Sequence, residues 1–207
     1  MNTMIWGPLL WRISHTVSFT PANIKHPNQY RALQSLYYTS LQYVLPCSFC
    51  RSSYISFFRI LPSITEQTTD IRRWVYDMHN LVNQKLEYPS PLTFDCLLKR
   101  HTLRTISCAP HDITSFLAIL ALNYEENESD VNLKVKHAIA TFIWTVFNLL
   151  YLHDAKWGKI GIDFCEKHPP MFNSRTDFAE WVEKLTRKNI ASYEIVRAKI
   201  CKDKSCK

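Results

Sequence analysis

Glycine is scarce in this sequence, which has three glycines and ten prolines in 207 residues. Runs that alternate apolar and polar residues, as strands with one buried face do, are also few. Leucine, tyrosine and phenylalanine are abundant, and the prolines mark turns between segments. We therefore expect an all-α protein. Its 46% hydrophobic residues are enough to bury a real core.

No apolar run is long enough to suggest a membrane span. The longest run, "AIATFIWTVFNLLYL", has 15 residues and includes Asn148, whereas a spanning helix needs about 18 to 20. We expect a buried helix there. The start, "MNTMIWGPLLWR", shows neither a secretory signal nor an evident mitochondrial presequence. We therefore expect a cytoplasmic protein.

Concentrated charge is also largely missing. The net charge is +7, but the lysines and arginines are scattered, apart from two adjacent pairs and the tail "RAKICKDKSCK". Scattered charge is typical of a solvated surface, so we predict no nucleic-acid partner. Salt-dependent DNA binding remains the lowest-ranked alternative.

Apolar residues recur at helical spacing in several segments. Four helices are predicted within roughly the first ninety residues, which is typical of a bundle. A short element with Cys96 and Cys108 follows, and then three further helices. The predicted helices are at about 3–19, 29–45, 47–60, 70–87, 114–124, 131–153 and 175–199.

The sequence "PCSFC" places Cys47 and Cys50 two residues apart, directly after Pro46. Pro46 predicts a helix start with Cys47 in its first turn, where free N–H groups favour a thiolate suited to disulfide exchange. Zinc would need a second pair at the same spacing, which is missing, so we predict no metal. A thioredoxin-like domain would need βαβ patterning, which is also missing. Two reduced core cysteines remain the alternative.

Four ordered motifs together resemble one family. "WGPLLWRISH", "PCSFC", "WVYDMHNLVNQKL" and "FDC" are similar to the pattern of the Erv/ALR family of FAD-linked sulfhydryl oxidases, which is WG-x3-W-x3-H, C-x-x-C, W-x4-HN-x-VN-x-KL and then a cysteine. Pro8 and the early start of the motifs resemble the short viral members. The resemblance covers residues of about 4–108.

The resemblance implies a four-helix bundle with a short fifth helix that binds FAD. Residues 1–109 would be the FAD-binding sulfhydryl oxidase domain, and 110–207 an additional helical region with a basic, cysteine-containing tail. Cys50 would be the sulfur next to the flavin, and Cys47 the outward sulfur attacked in exchange. The residues expected to contact FAD are Gly7, Trp11, His15, Trp74, His79, Asn80, Val82, Asn83 and Lys85.

Four of the other cysteines are assigned by the same resemblance. Cys96 and Cys108 would form a structural disulfide that holds the fifth helix. Cys201 and Cys206, in the lysine-rich tail, would be a shuttle dithiol, with two idle thiols as the alternative. Cys165 has no evident partner, and we expect it to be buried and unpaired.

The resemblance further implies a thiol oxidase that oxidises protein dithiols and passes the electrons through Cys47 and Cys50 to FAD and then to O2, releasing hydrogen peroxide. Family members are commonly homodimers, which predicts a homodimer here. A virus-encoded oxidase would act in the host cytoplasm or in the virion. The alternative from another class is a catalytically degenerate helical scaffold or interaction module.

Overall fold

The computed structural model of the chain describes residues 3–21, 24–66, 69–89, 92–102, 108–124 and 130–187. All regular secondary structure in these ranges is helical, which confirms the prediction of an all-α protein. The helices are α1 (Thr3–Ser18), α2 (Pro27–Val44), α3 (Ser48–Ile60), α4 (Ile71–Lys85), α5 (Phe94–Thr102), α6 (Pro110–Leu122), α7 (Asp130–Tyr151), α8 (Ala155–Lys167) and α9 (Arg175–Thr186).

The sequence did not predict α8. Asp154 begins this helix, because its carboxylate accepts the backbone N–H of Trp157 at 3.2 Å. Gly158 and Gly161 lower the helix propensity of the segment, but packing requires them. A Cβ at Gly158 would collide with the backbone of Tyr151, and one at Gly161 with the ring of Phe147. Close packing against α7 therefore explains glycines that weaken the helical pattern.

Other helix boundaries differ modestly from the predictions. α6 begins at Pro110 rather than near residue 114, since Pro110 occupies the first turn, where a missing N–H costs nothing. α9 ends at Thr186, and the part of the predicted last helix beyond residue 187 lies outside the described residues. The four bundle helices lie close to where the sequence placed them.

The two parts of the chain share one hydrophobic core. α6 packs on α1, and α7 packs along α2. The ring centroids of Tyr37 on α2 and Phe142 on α7 are 5.4 Å apart, and Tyr30 and His153 are joined by a hydrogen bond of 2.8 Å. The domain boundary predicted after residue 109 marks a change in the sequence motifs. The hydrophobic core extends across it.

α7 is the longest described helix, with 22 residues. The apolar run within it is buried, as expected, and Phe142, Ile143, Val146 and Phe147 have no exposed surface. No helix in the described ranges combines the length and apolarity that crossing a bilayer requires.

Candidate active site

The cysteine pair lies at the beginning of α3, which starts one residue later than predicted. Cys47 is the N-cap residue rather than part of the first turn, and its backbone is extended, with φ −129° and ψ 122°. The backbone N–H of Cys50 donates to Sγ of Cys47 at 3.3 Å. Nη1 of Arg51 donates to the carbonyl of Leu45 at 2.7 Å, which holds the turn between α2 and α3. The sulfur of Cys47 thus caps the helix, as a serine oxygen does elsewhere.

The pair is in its dithiol form. The thiol of Cys50 donates a hydrogen bond to Cys47, and this is the main reason why the pKa of Cys47 lies at about 6, well below its ordinary value. Burial opposes the shift, while backbone N–H groups at the helix start support it. The arrangement therefore holds Cys47 as a thiolate at neutral pH.

Cys47 is less exposed than expected for the sulfur that a substrate thiol would attack. Only 7% of Cys47 is exposed, so the structure does not show it as the outward sulfur. Its side chain is turned back to cap α3 and lies in the core cluster, which is the physical reason. Cys50 is half-buried and lies on the wall of a large cavity.

The cavity has a volume of about 740 Å³, which is within the range of roughly 300 to 1,000 Å³ typical of small-molecule sites. Side chains of α1, α3 and α4 form most of its wall, and Tyr38, Leu41 and Leu45 belong to α2 or directly follow it. Of the predicted cofactor residues, those that line it are Trp11, Trp74, Val82, Asn83 and Lys85.

Trp11 on this wall contacts two further predicted cofactor residues, His15 and His79, which lie behind it. The rings of Trp11 and His79 are stacked, with centroids 3.8 Å apart, and Nε2 of His15 lies 3.0 Å from Nδ1 of His79. Burial lowers the pKa of His15 to about 4 and that of His79 to about 3, so both imidazoles are neutral at pH 7. A planar ligand cannot lie between Trp11 and His79 in this arrangement. Asn80, which follows His79 on α4, is half-buried and is not part of the cavity wall.

Several features indicate that the cavity is suited to a large ligand with both apolar and polar parts. Gly7 is buried, yet a Cβ added to it would meet no atom of the described residues within 4 Å. The indole Nε1 of Trp6, a cavity residue, and Nδ1 of His15 are buried without a hydrogen-bond partner in the described ranges. Buried polar atoms normally have partners, so both are candidate contacts for a ligand.

The sequence motifs missed the contribution of α3 to the cavity. Ser53, Tyr54 and Phe57 follow Cys50 at helical spacing and line the wall with it. The ammonium group of Lys85 lies 4.1 Å from the ring centre of Phe49 and donates a hydrogen bond to Ser53. The i, i+3, i+4, i+7 spacing from Cys50 was the signal that could have identified these residues.

The remaining cysteines are in different environments. Cys96 is exposed and Cys108 half-buried, and both are free thiols, so the implied disulfide is not formed in the structure. The backbone N–H of Cys108 donates to Oγ1 of Thr16 at 2.7 Å. Burial raises the pKa of the Cys108 thiol to about 12. Cys165 is fully buried and free, as predicted. The proposed shuttle pair, Cys201 and Cys206, lies outside the described residues.

The chain is similar to known proteins over the region that contains this site. The model of the Erv1/Alr family matches residues 8–104. A probable FAD-linked sulfhydryl oxidase of Acanthamoeba polyphaga mimivirus is 33% identical over 105 residues, which cover 44% of this chain and 69% of the relative. An FAD-linked sulfhydryl oxidase from a Kenyan isolate of African swine fever virus is 32% identical over 88 residues, which cover 39% of this chain and 67% of the relative.

A Malawian isolate of the same virus has an FAD-linked sulfhydryl oxidase that is 30% identical over 84 residues, again covering 39% of this chain and 67% of the relative. No solved structure matches the chain. The matched region contains α1 to α5 almost completely, and therefore the cysteine pair and most of the cavity wall. With relatives of this identity covered over two thirds of their length, the chain belongs to the Erv1/Alr family.

Proposed function

We propose that this protein is an FAD-dependent thiol oxidase that forms disulfides in protein substrates. The observation that carries the proposal is the position of Cys50 on the wall of the large cavity, hydrogen-bonded to the Cys47 sulfur behind it. A redox-active pair beside a cofactor-sized cavity can transfer electrons from thiols to a flavin. The names of the viral relatives support the same activity.

The cavity residues divide into those that suit rings and those that suit polar groups. Trp11 and Trp74 offer aromatic surface for the rings of FAD. Asn83 and Lys85 offer donors for ribose and phosphate oxygens. The unpartnered Nε1 of Trp6 would donate to an acceptor on the cofactor.

The other predicted contacts would act around that wall. Gly7 would leave room for close approach of the ligand, and Val82 would add apolar surface from α4. His79 would support the ring of Trp11 from behind the wall, and Nδ1 of His15 would offer a hydrogen bond. Asn80 would offer a further polar contact on α4.

Disulfide exchange would occur at the cysteine pair. In the oxidised enzyme, a substrate thiolate attacks the Cys47–Cys50 disulfide and forms a mixed disulfide, and the second substrate thiolate then releases it. The substrate loses two electrons and two protons and gains a disulfide, while Cys47 and Cys50 become two thiols. When bound, FAD would accept the two electrons of the reduced pair and pass them to O2, which becomes hydrogen peroxide.

The position of Cys50 on the cavity wall supports the assignment of the two sulfurs that the family resemblance implies. Cys50 faces the cofactor in this proposal, so the substrate attacks Cys47. Because only 7% of Cys47 is exposed, that attack requires the turn held by the Arg51–Leu45 hydrogen bond to open. The homodimer, the Cys96–Cys108 disulfide and the Cys201–Cys206 shuttle stay predictions.

Oxygen consumption with dithiothreitol tests the activity. The protein saturated with FAD should consume O2 and release hydrogen peroxide in equal amounts, and protein stripped of FAD should not. Binding of FAD without any O2 consumption would favour the alternative of an oxidase-like scaffold and would contradict this proposal.

A further inference from the structure

One turn of α1 has contacts on two sides. Trp11 and His15 contact His79 on α4, as described above. Arg12 and Thr16, one position further along, contact the segment from Cys108 to Asp112, which includes the first turn of α6. Residues at i and i+4 share a helix face, so each pair lies on its own face of the same turn.

Asp112 is the centre of the contacts on the α6 side. Its side chain is only 2% exposed, and its Oδ1 accepts from Nε of Arg12 at 2.9 Å and also from Nη2. Its Oδ2 accepts the backbone N–H of Ala109 at 2.8 Å. The exposed imidazole of His111 lies 3.5 Å from Oδ1. The carboxylate thus joins the start of α6 directly to α1.

Thr16 adds a second connection on the same face. Its Oγ1 donates to the carbonyl of Arg12 at 2.8 Å and accepts the N–H of Cys108 at 2.7 Å. The segment from Cys108 to Asp112 is therefore attached to α1 at two residues one turn apart. None of these α6-side residues lies within the region matched by the family model, which ends at residue 104.

A buried carboxylate is costly unless a cation and hydrogen-bond donors compensate it. Burial acts to raise the pKa of Asp112, and the hydrogen bonds from Arg12 and Ala109 outweigh it, so that the pKa lies below its ordinary value. Asp112 is therefore ionised at neutral pH and fixes the position of Arg12. A shift of Arg12 would move the neighbouring Trp11 with it, because both belong to one helical turn.

We propose that Asp112, acting through Arg12, is a positioning residue for the α1 turn that presents Trp11 and His15 at the cofactor site. The inference rests on the proposed function. It gives the second half of the chain, which lies beyond the matched region, a role in cofactor binding.

Full-length Asp112→Asn tests the proposal. The substitution keeps the size of the side chain but removes its charge. The amide nitrogen that replaces one carboxylate oxygen only donates, so either Arg12 or the N–H of Ala109 loses its acceptor. Loss of a hydrogen bond to a charged group predicts an increase of about tenfold in the Kd for FAD, measured by titration of flavin fluorescence. Asp112→Glu, which keeps the charge and suits this helix position, should recover much of the affinity.

A second measurement uses the protein without FAD. NMR titration should show that the pKa of His79, about 3 in the intact turn, rises toward its ordinary value in Asp112→Asn, because the imidazole becomes less buried. Trp181→Phe is the control. This variant loses the hydrogen bond of 2.7 Å from the indole to the carbonyl of His168 within the second half of the chain. It should therefore lower stability without changing the Kd for FAD or the pKa of His79.

The outcomes separate this inference from the proposed function. Unchanged FAD affinity and His79 titration in Asp112→Asn would overturn the positioning role. So would an equal loss of FAD affinity in Trp181→Phe, because that would indicate a general effect of stability. If the wild-type protein takes up no FAD, the proposed function fails, and the His79 titration still tests whether Asp112 positions α1.

Discussion

The sulfur of Cys47 accepts a hydrogen bond from the backbone N–H of Cys50 at 3.3 Å, so one cysteine of the pair caps the helix that carries the other. The cap links the redox state of the pair to the start of α3. A thiolate at this position interacts favourably with the free N–H groups of the first turn, whereas a disulfide sulfur carries no charge.

The ionisation of Cys47 provides the first prediction. Its thiolate should appear as the pH rises through about 6, seen as ultraviolet thiolate absorbance of the reduced protein. The pKa is lower in the folded protein than in the unfolded chain, so ionisation stabilises the fold. This stabilisation is complete above the unfolded pKa of about 8.5 and is lost as the pH falls through about 6.

Cys50→Ala is the matched variant for this titration. The hydrogen bond from the Cys50 thiol is the largest cause of the lowered pKa, so its removal should move the transition of Cys47 toward the ordinary value. An unchanged transition would show that the hydrogen bond between the two side chains does not control the ionisation.

Cys50→Ser should abolish turnover and leave FAD bound. Serine keeps the shape of the cavity wall, but it can neither form the disulfide nor donate electrons. O2 consumption and the flavin absorbance band measure the two properties separately. Cys165→Ala is the control, since Cys165 is buried in the second half of the chain and should not affect turnover. Turnover retained by Cys50→Ser would refute the assignment of the cofactor-side sulfur.

Gly7→Ala should weaken FAD binding without weakening the fold. A methyl group at this position enters space that the described residues leave open, and alanine favours a helix over glycine by about 1 kcal/mol. Stability of the FAD-free protein should therefore stay equal or rise, while the Kd for FAD increases. An unchanged Kd would place the cofactor away from Gly7.

Gly158→Ala provides the contrast to this prediction. Its methyl group would collide with the backbone of Tyr151, so the variant should lose about 1 to 3 kcal/mol or more of stability through overpacking. Thermal unfolding without FAD should thus occur at a lower temperature than in the wild type for Gly158→Ala, and at an equal or higher temperature for Gly7→Ala.

The sequence predicted the bundle and the cysteine pair because both depend on local signals. Helical spacing placed α1 to α4, and Pro46 marked the turn before the pair. The burial of Cys47 was not predictable in the same way, since it depends on how the turn packs into the core. Trp11 and Trp74, which the motifs predicted as FAD contacts, line the cavity, but the motifs could not show that Trp11 is stacked on His79.

Contacts between distant segments account for most of what the sequence did not show. Arg12 and Asp112 are 100 residues apart in the chain, and nothing in either local pattern indicates that they form a pair. The packing of Phe142 between rings of α2 and α6 also joins the two parts of the chain. The division at residue 109 followed a change of motif, which carries no information on the shared core.

Phe142→Ala tests the shared core. Phe142 has no exposed surface, and its truncation should destabilise the protein by about 3 to 5 kcal/mol. Because the core crosses the boundary, helix loss and flavin release should occur in one transition. Met171→Ala, at a residue that is 54% exposed, should change stability by less than about 0.5 kcal/mol. Two separate transitions would indicate independent domains.

The visible absorption spectrum of the purified protein is the simplest test of a flavin beside the cysteine pair. We expect a yellow protein whose flavin band bleaches when dithiothreitol is added without O2 and returns when O2 is admitted. A colourless protein that takes up no FAD on incubation, with the cavity between α1, α3 and α4 intact, would refute a flavin at this site.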